Sequence, residues 1–184
     1  MIELDLFPTL VIVKTGFIDF ETRNRLLNVK TTMFKHPAVS GNGVSSYQMK
    51  YDILTNEKEL KYKINRELKN CSIKMGIHEQ VIYNTWVNTQ HEGSSLKFHQ
   101  HPRSNISGAL YLDVNAGCSP LKFLNPNPHI FMQVNKNNTK YNNEYMNIQP
   151  ENGTLILFPS WLPHGSEINQ TTRKVLSFNS RDNG

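Results

Sequence analysis

Long apolar runs are missing from this sequence. No stretch approaches the roughly 18 consecutive apolar residues that a spanning helix requires, so a membrane partner is not expected. Cysteine is scarce. Cys71 and Cys118 are the only two, and neither belongs to a Cys-x-x-Cys or Cys/His pairing, so nothing points to a disulfide framework or a structural zinc site. Charge of one sign is not concentrated either. Twenty Lys and Arg stand against fifteen Asp and Glu, and the net +5 is spread out. The densest basic stretch, Lys58 to Lys74, also carries Glu59 and Glu67 and reads as a solvated helix face, so nucleic acid is not an expected partner. Walker, Gly-x-Gly-x-x-Gly, Gly-x-Ser-x-Gly and His-Glu-x-x-His motifs are all absent, which removes the common nucleotide and hydrolase readings. The opening Met1-Ile2-Glu3-Leu4-Asp5 lacks the basic and then apolar order of a signal peptide, so the expected location is the cytoplasm.

What is present suits one domain. The chain has 184 residues, 38% of them hydrophobic, enough for a sizeable core. Residues 1–80 read as helical support and 81–184 as a β core. Leu10-Val11-Ile12-Val13 is a short β-branched strand. Asp19 is placed to cap a helix reaching about Val29. A second helix opens after Thr55 and runs from Lys58 to about Met75. It carries Leu60, Ile64, Leu68 and Cys71 on one stripe and ends at Gly76. Beyond it the hydrophobic period becomes two. Strands are predicted over 81–89, 96–101, 106–114, 121–124, 130–134, 144–149, 154–158, 165–168 and 174–179, separated by Gly, Pro and Asn turns. Many short strands after helices predict a mainly β double-stranded β-helix, or jelly roll, with N-terminal supporting helices.

Three of the seven histidines stand out. His99 and His101 are two apart on one predicted strand and so share a face, as a metal chelate on a barrel wall would require. By itself this pair is equally what two surface histidines on an edge strand would look like. His164 ends the rigid turn Pro159-Ser160-Trp161-Leu162-Pro163, which would hold a ligand firmly. Nine residues on, Arg173 opens the strand Lys174-Val175-Leu176-Ser177-Phe178 and shares a face with Val175 and Ser177. An arginine pointing inward needs an anion, and its planar fork suits a carboxylate; pointing outward it would make a surface salt bridge. Trp86 and Trp161 read as core or rim packing. His36, His78, His91 and His129 read as solvent-facing loop residues.

A strand-borne His-x-acid pair, a distant His and a basic residue about ten positions later form the pattern that these residues resemble. It belongs to the iron(II)/2-oxoglutarate-dependent oxygenases, in particular their prolyl-hydroxylase-like branch. The likeness is nearest to the 2OG-Fe(II) oxygenases of marine bacteria and their phages. It is carried by Trp86-Val87-Asn88, His99-Gln100-His101-Pro102, Ser107-Gly108-Ala109-Leu110-Tyr111-Leu112, Phe158 to His164 and Arg173 to Asn179. It implies a hydroxylating dioxygenase that turns 2-oxoglutarate and O₂ into succinate and CO₂, acting on an unidentified protein side chain or small molecule. For a phage-encoded chain the location would be the host cytoplasm, and self-association is left open. By position, His99 and His164 become iron ligands and Arg173 the partner of the distal carboxylate of 2-oxoglutarate. Tyr111, Asn88 and Ser177 become hydrogen-bonding groups for the cosubstrate. No catalytic residue beyond the metal ligands is implied.

One position departs. The superfamily usually has Asp or Glu where His101 stands, so the third ligand becomes a neutral imidazole. Asp113, the nearest downstream carboxylate, lies on another strand and is not expected to bind the metal. Two rivals keep the fold and change the chemistry: a three-histidine cupin-type dioxygenase or isomerase without 2-oxoglutarate, and a non-enzymatic jelly-roll binding or structural module. Imidazole ligates only when neutral, so metal affinity is expected to fall as pH drops through about 6.5.

Overall fold

The computed structural model describes residues 2–3, 5–47 and 52–184. In chain order it contains β1 (Ile12–Lys14), α1 (Phe20–Leu27), β2 (Val44–Ser45), α2 (Lys58–Met75), β3 (Gln80–Gln90), β4 (Leu96–His99), β5 (Ile106–Asp113) and β6 (Leu121–Leu124). A 3-10 turn at Ile130–Met132 follows, then β7 (Tyr145–Ile148), β8 (Leu155–Pro159), β9 (His164–Ser166) and β10 (Arg173–Asp182). The strands form a six-stranded sheet in the order β1-β8-β5-β10-β3-β2 and a four-stranded sheet in the order β4-β9-β6-β7. Every pairing is antiparallel. This is the expected mainly β jelly roll with two helices.

Period-two alternation gives the large sheet two apolar faces. Ile106, Leu110 and Leu112 of β5, Leu155 and Leu157 of β8, and Leu176 and Phe178 of β10 pack with Leu26 of α1 and with Leu60, Ile64 and Leu68 of α2. The alternate residues Ala109, Tyr111, Ile156, Phe158 and Val175 pack with Leu121 and Phe123 of the small sheet. The site lies on this second face, between the sheets. Central β5 is covered on both sides, and only its last residue, Asp113, is not fully buried.

The helices form where the sequence puts them. Asp19 caps α1 by accepting from the Thr22 amide at 2.7 Å, which holds its carboxyl below the usual value. Gly76 ends α2 in the left-handed conformation at φ 67°. The second helix runs from Lys58 to Met75, as expected. Three local expectations need correction. Residues 1–80 give more than helical support: the strand expected at residues 10–13 appears as β1, and β2, which was not expected, joins it in extending the large sheet, through β8 and β3 respectively. Residues 130–134 are no strand. Asn125 and Asn127 accept from amides two residues ahead at 2.9 and 3.0 Å, winding the chain into the 3-10 turn. Finally, β4 ends at His99, so His101 lies beyond the strand, where its amide donates to the Ser160 carbonyl at 2.9 Å.

Candidate functional site

Three segments bring the histidines together. β4 and β9 pair with His99 directly opposite His164, and the chain leaving β4 carries His101 beside them. The turn before His164 is tied on several sides. The Leu162 amide donates to the Pro159 carbonyl at 2.9 Å, and the Leu124 amide donates to the Pro163 carbonyl at 3.0 Å. The Ser160 hydroxyl bonds to those of Ser107 and Ser104 at 2.7 and 2.9 Å. One nitrogen from each of His99, His101 and His164 lies within 4.8 Å of the others. Among the described residues no carboxylate joins this cluster.

Hydrogen bonds set the ring tautomers. His99 Nδ1 bonds to the Lys97 carbonyl at 2.8 Å, His164 Nδ1 to the Leu162 carbonyl at 2.9 Å and His101 Nδ1 to Asn179 Oδ1 at 2.5 Å. All three partners accept only, so each Nδ1 carries the proton and each Nε2 presents a lone pair. The Nε2 atoms of His99 and His101 are 3.2 Å apart. Two such acceptors face each other favourably only with a cation or a proton between them. Burial disfavours the proton. It lowers His99, holds His101 at about 4 and His164 at about 3, and for the latter two a charge on His99 acts in the same direction. The three imidazoles are therefore neutral at pH 7. The onset of proton competition for a metal moves below the 6.5 expected of free imidazole.

Asn179 reaches His101 from β10, and Arg173, Val175 and Ser177 follow it on the same face of that strand, all lining one cavity of about 180 Å³. Arg173 is 1% exposed, which removes the surface salt-bridge alternative. Its Nε donates to Gln90 Oε1 at 2.9 Å, its Nη2 to the same oxygen and its Nη1 to the Ser119 carbonyl. The guanidinium carbon lies 5.9 Å from the centre of the Tyr111 ring. Every partner is neutral, and among the described residues no carboxylate pairs with this cation. A buried charge in that condition calls for an anion from outside the chain. Tyr111 is buried, which raises its phenol pKa despite the opposing effect of Arg173, so it stays protonated and able to donate. Asn88 and Ser177 also line the cavity and bond to each other across the strands at 3.1 Å.

Some cavity residues were not legible in the sequence. His36, expected in solvent, packs edge-on to Tyr47, with ring centres 5.0 Å apart. Tyr47 packs on Trp86 at 4.9 Å, and Trp86 stacks on His101 at 5.8 Å. Tyr47 is 45% exposed, which puts it at the cavity opening, whereas Trp86 is buried. Trp161 is exposed, and its carbonyl accepts from Gln100. His78, His91 and His129 are exposed, as expected. Asn179 could have been found, since it continues the Arg173–Ser177 face by period two. Gln90 likewise continues the Trp86–Asn88 face by period two, whereas His36 carries no such signal, because it reaches the cavity through loop packing.

Residues 84–179 match the family described as "Putative 2OG-Fe(II) oxygenase". No curated protein matches the chain by sequence. Solved structures share the fold. An oxidoreductase of the 2OG-Fe(II) oxygenase family from Burkholderia pseudomallei is similar at a TM-score of 0.67 and 13% identity, covering 92% of this chain and 84% of that one. The viral collagen prolyl hydroxylase of Paramecium Bursaria Chlorella virus-1 is similar at 0.60 and 14%, covering 94% and 96%. A Pseudomonas putida prolyl-4-hydroxylase is similar at 0.56 and 14%, covering 98% and 96%.

Proposed function

The chain belongs to the 2OG-Fe(II) oxygenase family, and from that premise we propose that it is a non-haem Fe(II)/2-oxoglutarate-dependent dioxygenase that hydroxylates an organic substrate. The observation that carries the reading is one cavity with three converging, unprotonated Nε2 atoms and a buried guanidinium that has no carboxylate partner among the described residues. Three imidazole nitrogens fit a first-row transition metal. His99, His101 and His164 would hold Fe(II), which when bound supplies O₂ activation coupled to conversion of 2-oxoglutarate into succinate and CO₂. Arg173 receives the distal carboxylate of 2-oxoglutarate, and the Tyr111 hydroxyl donates beside it. Asn88 and Ser177 line the wall as further hydrogen-bonding groups, and Val175 and Phe158 keep water from the space between. The Nδ1–H bonds to Lys97, Leu162 and Asn179 hold the rings in ligating orientation, as outer-shell partners of metal-bound histidines do.

The histidine at the usual carboxylate position favours one rival, a cupin-type enzyme that needs no 2-oxoglutarate. Arg173 weighs against it, since such chemistry has no use for a buried carboxylate fork. Anaerobic Fe(II) titration with and without 2-oxoglutarate separates the two. A weak visible charge-transfer band requiring both components supports the dioxygenase, and metal binding with no response to 2-oxoglutarate overturns it in favour of the rival.

A further inference from the structure

The cavity wall contains a polar group that the described residues leave unsatisfied. Gln90 closes β3 directly opposite Arg173 in the β3–β10 ladder and is 2% exposed. A guanidinium only donates, so Gln90 must turn Oε1 toward it, and that oxygen accepts from Nε and Nη2. The orientation of the amide is therefore settled by chemistry. Its Nε2 is left buried with no hydrogen-bond partner among the described residues. Buried donors without acceptors are rare in native proteins and call for an explanation.

The donors of Arg173 are only partly used. Nε and one N–H of Nη2 go to Gln90, and one N–H of Nη1 goes to Ser119. A guanidinium has five N–H groups, so one remains on each Nη. Gln90 and Arg173 line the same cavity. Unused donors on neighbouring side chains suit a carboxylate, whose two oxygens offer about four acceptor sites. We propose that Gln90 is a second anchor for the distal carboxylate of the cosubstrate: Nε2 donates to one carboxylate oxygen while Oε1 holds the Arg173 fork toward the pair. The inference rests on reading the cavity as a 2-oxoglutarate site and adds a specificity residue to it.

The test is calorimetric titration under anaerobic conditions. 2-Oxoglutarate, and separately 2-oxobutyrate, which lacks a distal carboxylate, are titrated into Mn(II)-loaded wild type, Gln90→Met, Gln90→Glu, Arg173→Met and the double variant Arg173→Met/Gln90→Met. Gln90→Met is expected to weaken 2-oxoglutarate about tenfold or more, the usual loss for a hydrogen bond to a charged acceptor, and to leave 2-oxobutyrate unchanged. The weakening should persist in the Arg173→Met background, where Gln90 has no guanidinium to hold. Gln90→Glu is nearly isosteric and keeps the test alive if the methionine variant does not fold. It sets a negative charge against the ligand carboxylate and should weaken 2-oxoglutarate by about a hundredfold. Unchanged 2-oxoglutarate affinity in the Gln90 variants overturns the inference. So does an effect that vanishes in the Arg173→Met background, which would make Gln90 only a support for the arginine. Wild type that binds no 2-oxoglutarate overturns the functional reading as well. Loss in Arg173→Met alone, with the Gln90 variants normal, overturns only the role of Gln90.

Discussion

Arg173 concentrates the chemistry of this site in one side chain. Its charge is buried among neutral acceptors, so the ligand that neutralises it gains a strong, bidentate, charge-assisted contact. Arg173→Ala is expected to raise the apparent KM for 2-oxoglutarate by about a hundredfold or more while Fe(II) affinity stays near wild type. Arg173→Lys should fall between, since it keeps the charge and loses the fork. Succinate formation across a 2-oxoglutarate series, beside a metal titration of each variant, checks both. His101 is the complementary case. His101→Ala should lose metal, whereas His101→Asp supplies an oxygen ligand and should retain it, measured by equilibrium metal competition. Full metal affinity in His101→Ala would remove His101 from the ligand set.

At the scale of elements, the site depends on how tightly β5 and β10 are laid together. A Cβ built on Gly108 of β5 would come 2.1 Å from the Phe178 ring of β10. Phe178 is fully buried and cannot swing away, so this glycine is required by close approach and not by a turn. Gly108→Ala should therefore destabilise the fold by about 1–3 kcal/mol, the usual cost of overpacking. Chemical denaturation would show it as a lower midpoint at constant slope, and pairing it with Phe178→Leu should recover part of the loss. An unchanged midpoint would mean that the two strands are not packed as described. The cost should reach the site too, because β10 carries Arg173, Ser177 and Asn179 on its other face.

At the scale of the whole molecule, three buried imidazoles couple stability to pH. Burial puts the folded-state value of His101 at about 4 and of His164 at about 3, against 6.5 for the free group, and lowers His99 as well. Between those values the unfolded chain binds more protons than the folded one. Stability of the metal-free protein should therefore be flat above about pH 7 and fall as pH drops from 6.5 toward 4. The slope is up to about 1.4 kcal/mol per pH unit for each histidine. Denaturation midpoints measured from pH 8 to pH 4 check this, and removal of two histidines, as in His101→Ala/His164→Ala, should flatten the slope. Metal acts oppositely. The three histidines come from the end of β4, the loop after it and the start of β9, so an ion held by them in the folded site alone would stabilise by about 2.7 kcal/mol at a hundred times its Kd. A chelator should lower Tm of the wild type and leave the double variant unmoved.

Much of this was written in local pattern. The period change after Gly76, the cap at Asp19 and the apolar stripe of α2 are short-range signals, and they emerge in the structure because each is satisfied within a few residues. The His-x-His pair and Arg173 were readable as candidates because strand period two places side chains on a common face without knowledge of the partner strand, and His164 because a rigid Pro-bounded turn precedes it. Local pattern could not say which way that face pointed. A surface salt bridge and a buried fork are the same letters for Arg173, and only the covering of β10 by the small sheet decides for burial. The tautomer of His101 was equally out of reach, since Asn179 is 78 residues from it and meets it only through the β5–β10 layer. Gln90 illustrates the limit most sharply. Period two from Asn88 could place it on the cavity face, but its free amide end exists only because antiparallel register sets it opposite Arg173, where a donor-only neighbour dictates which end of the amide remains free.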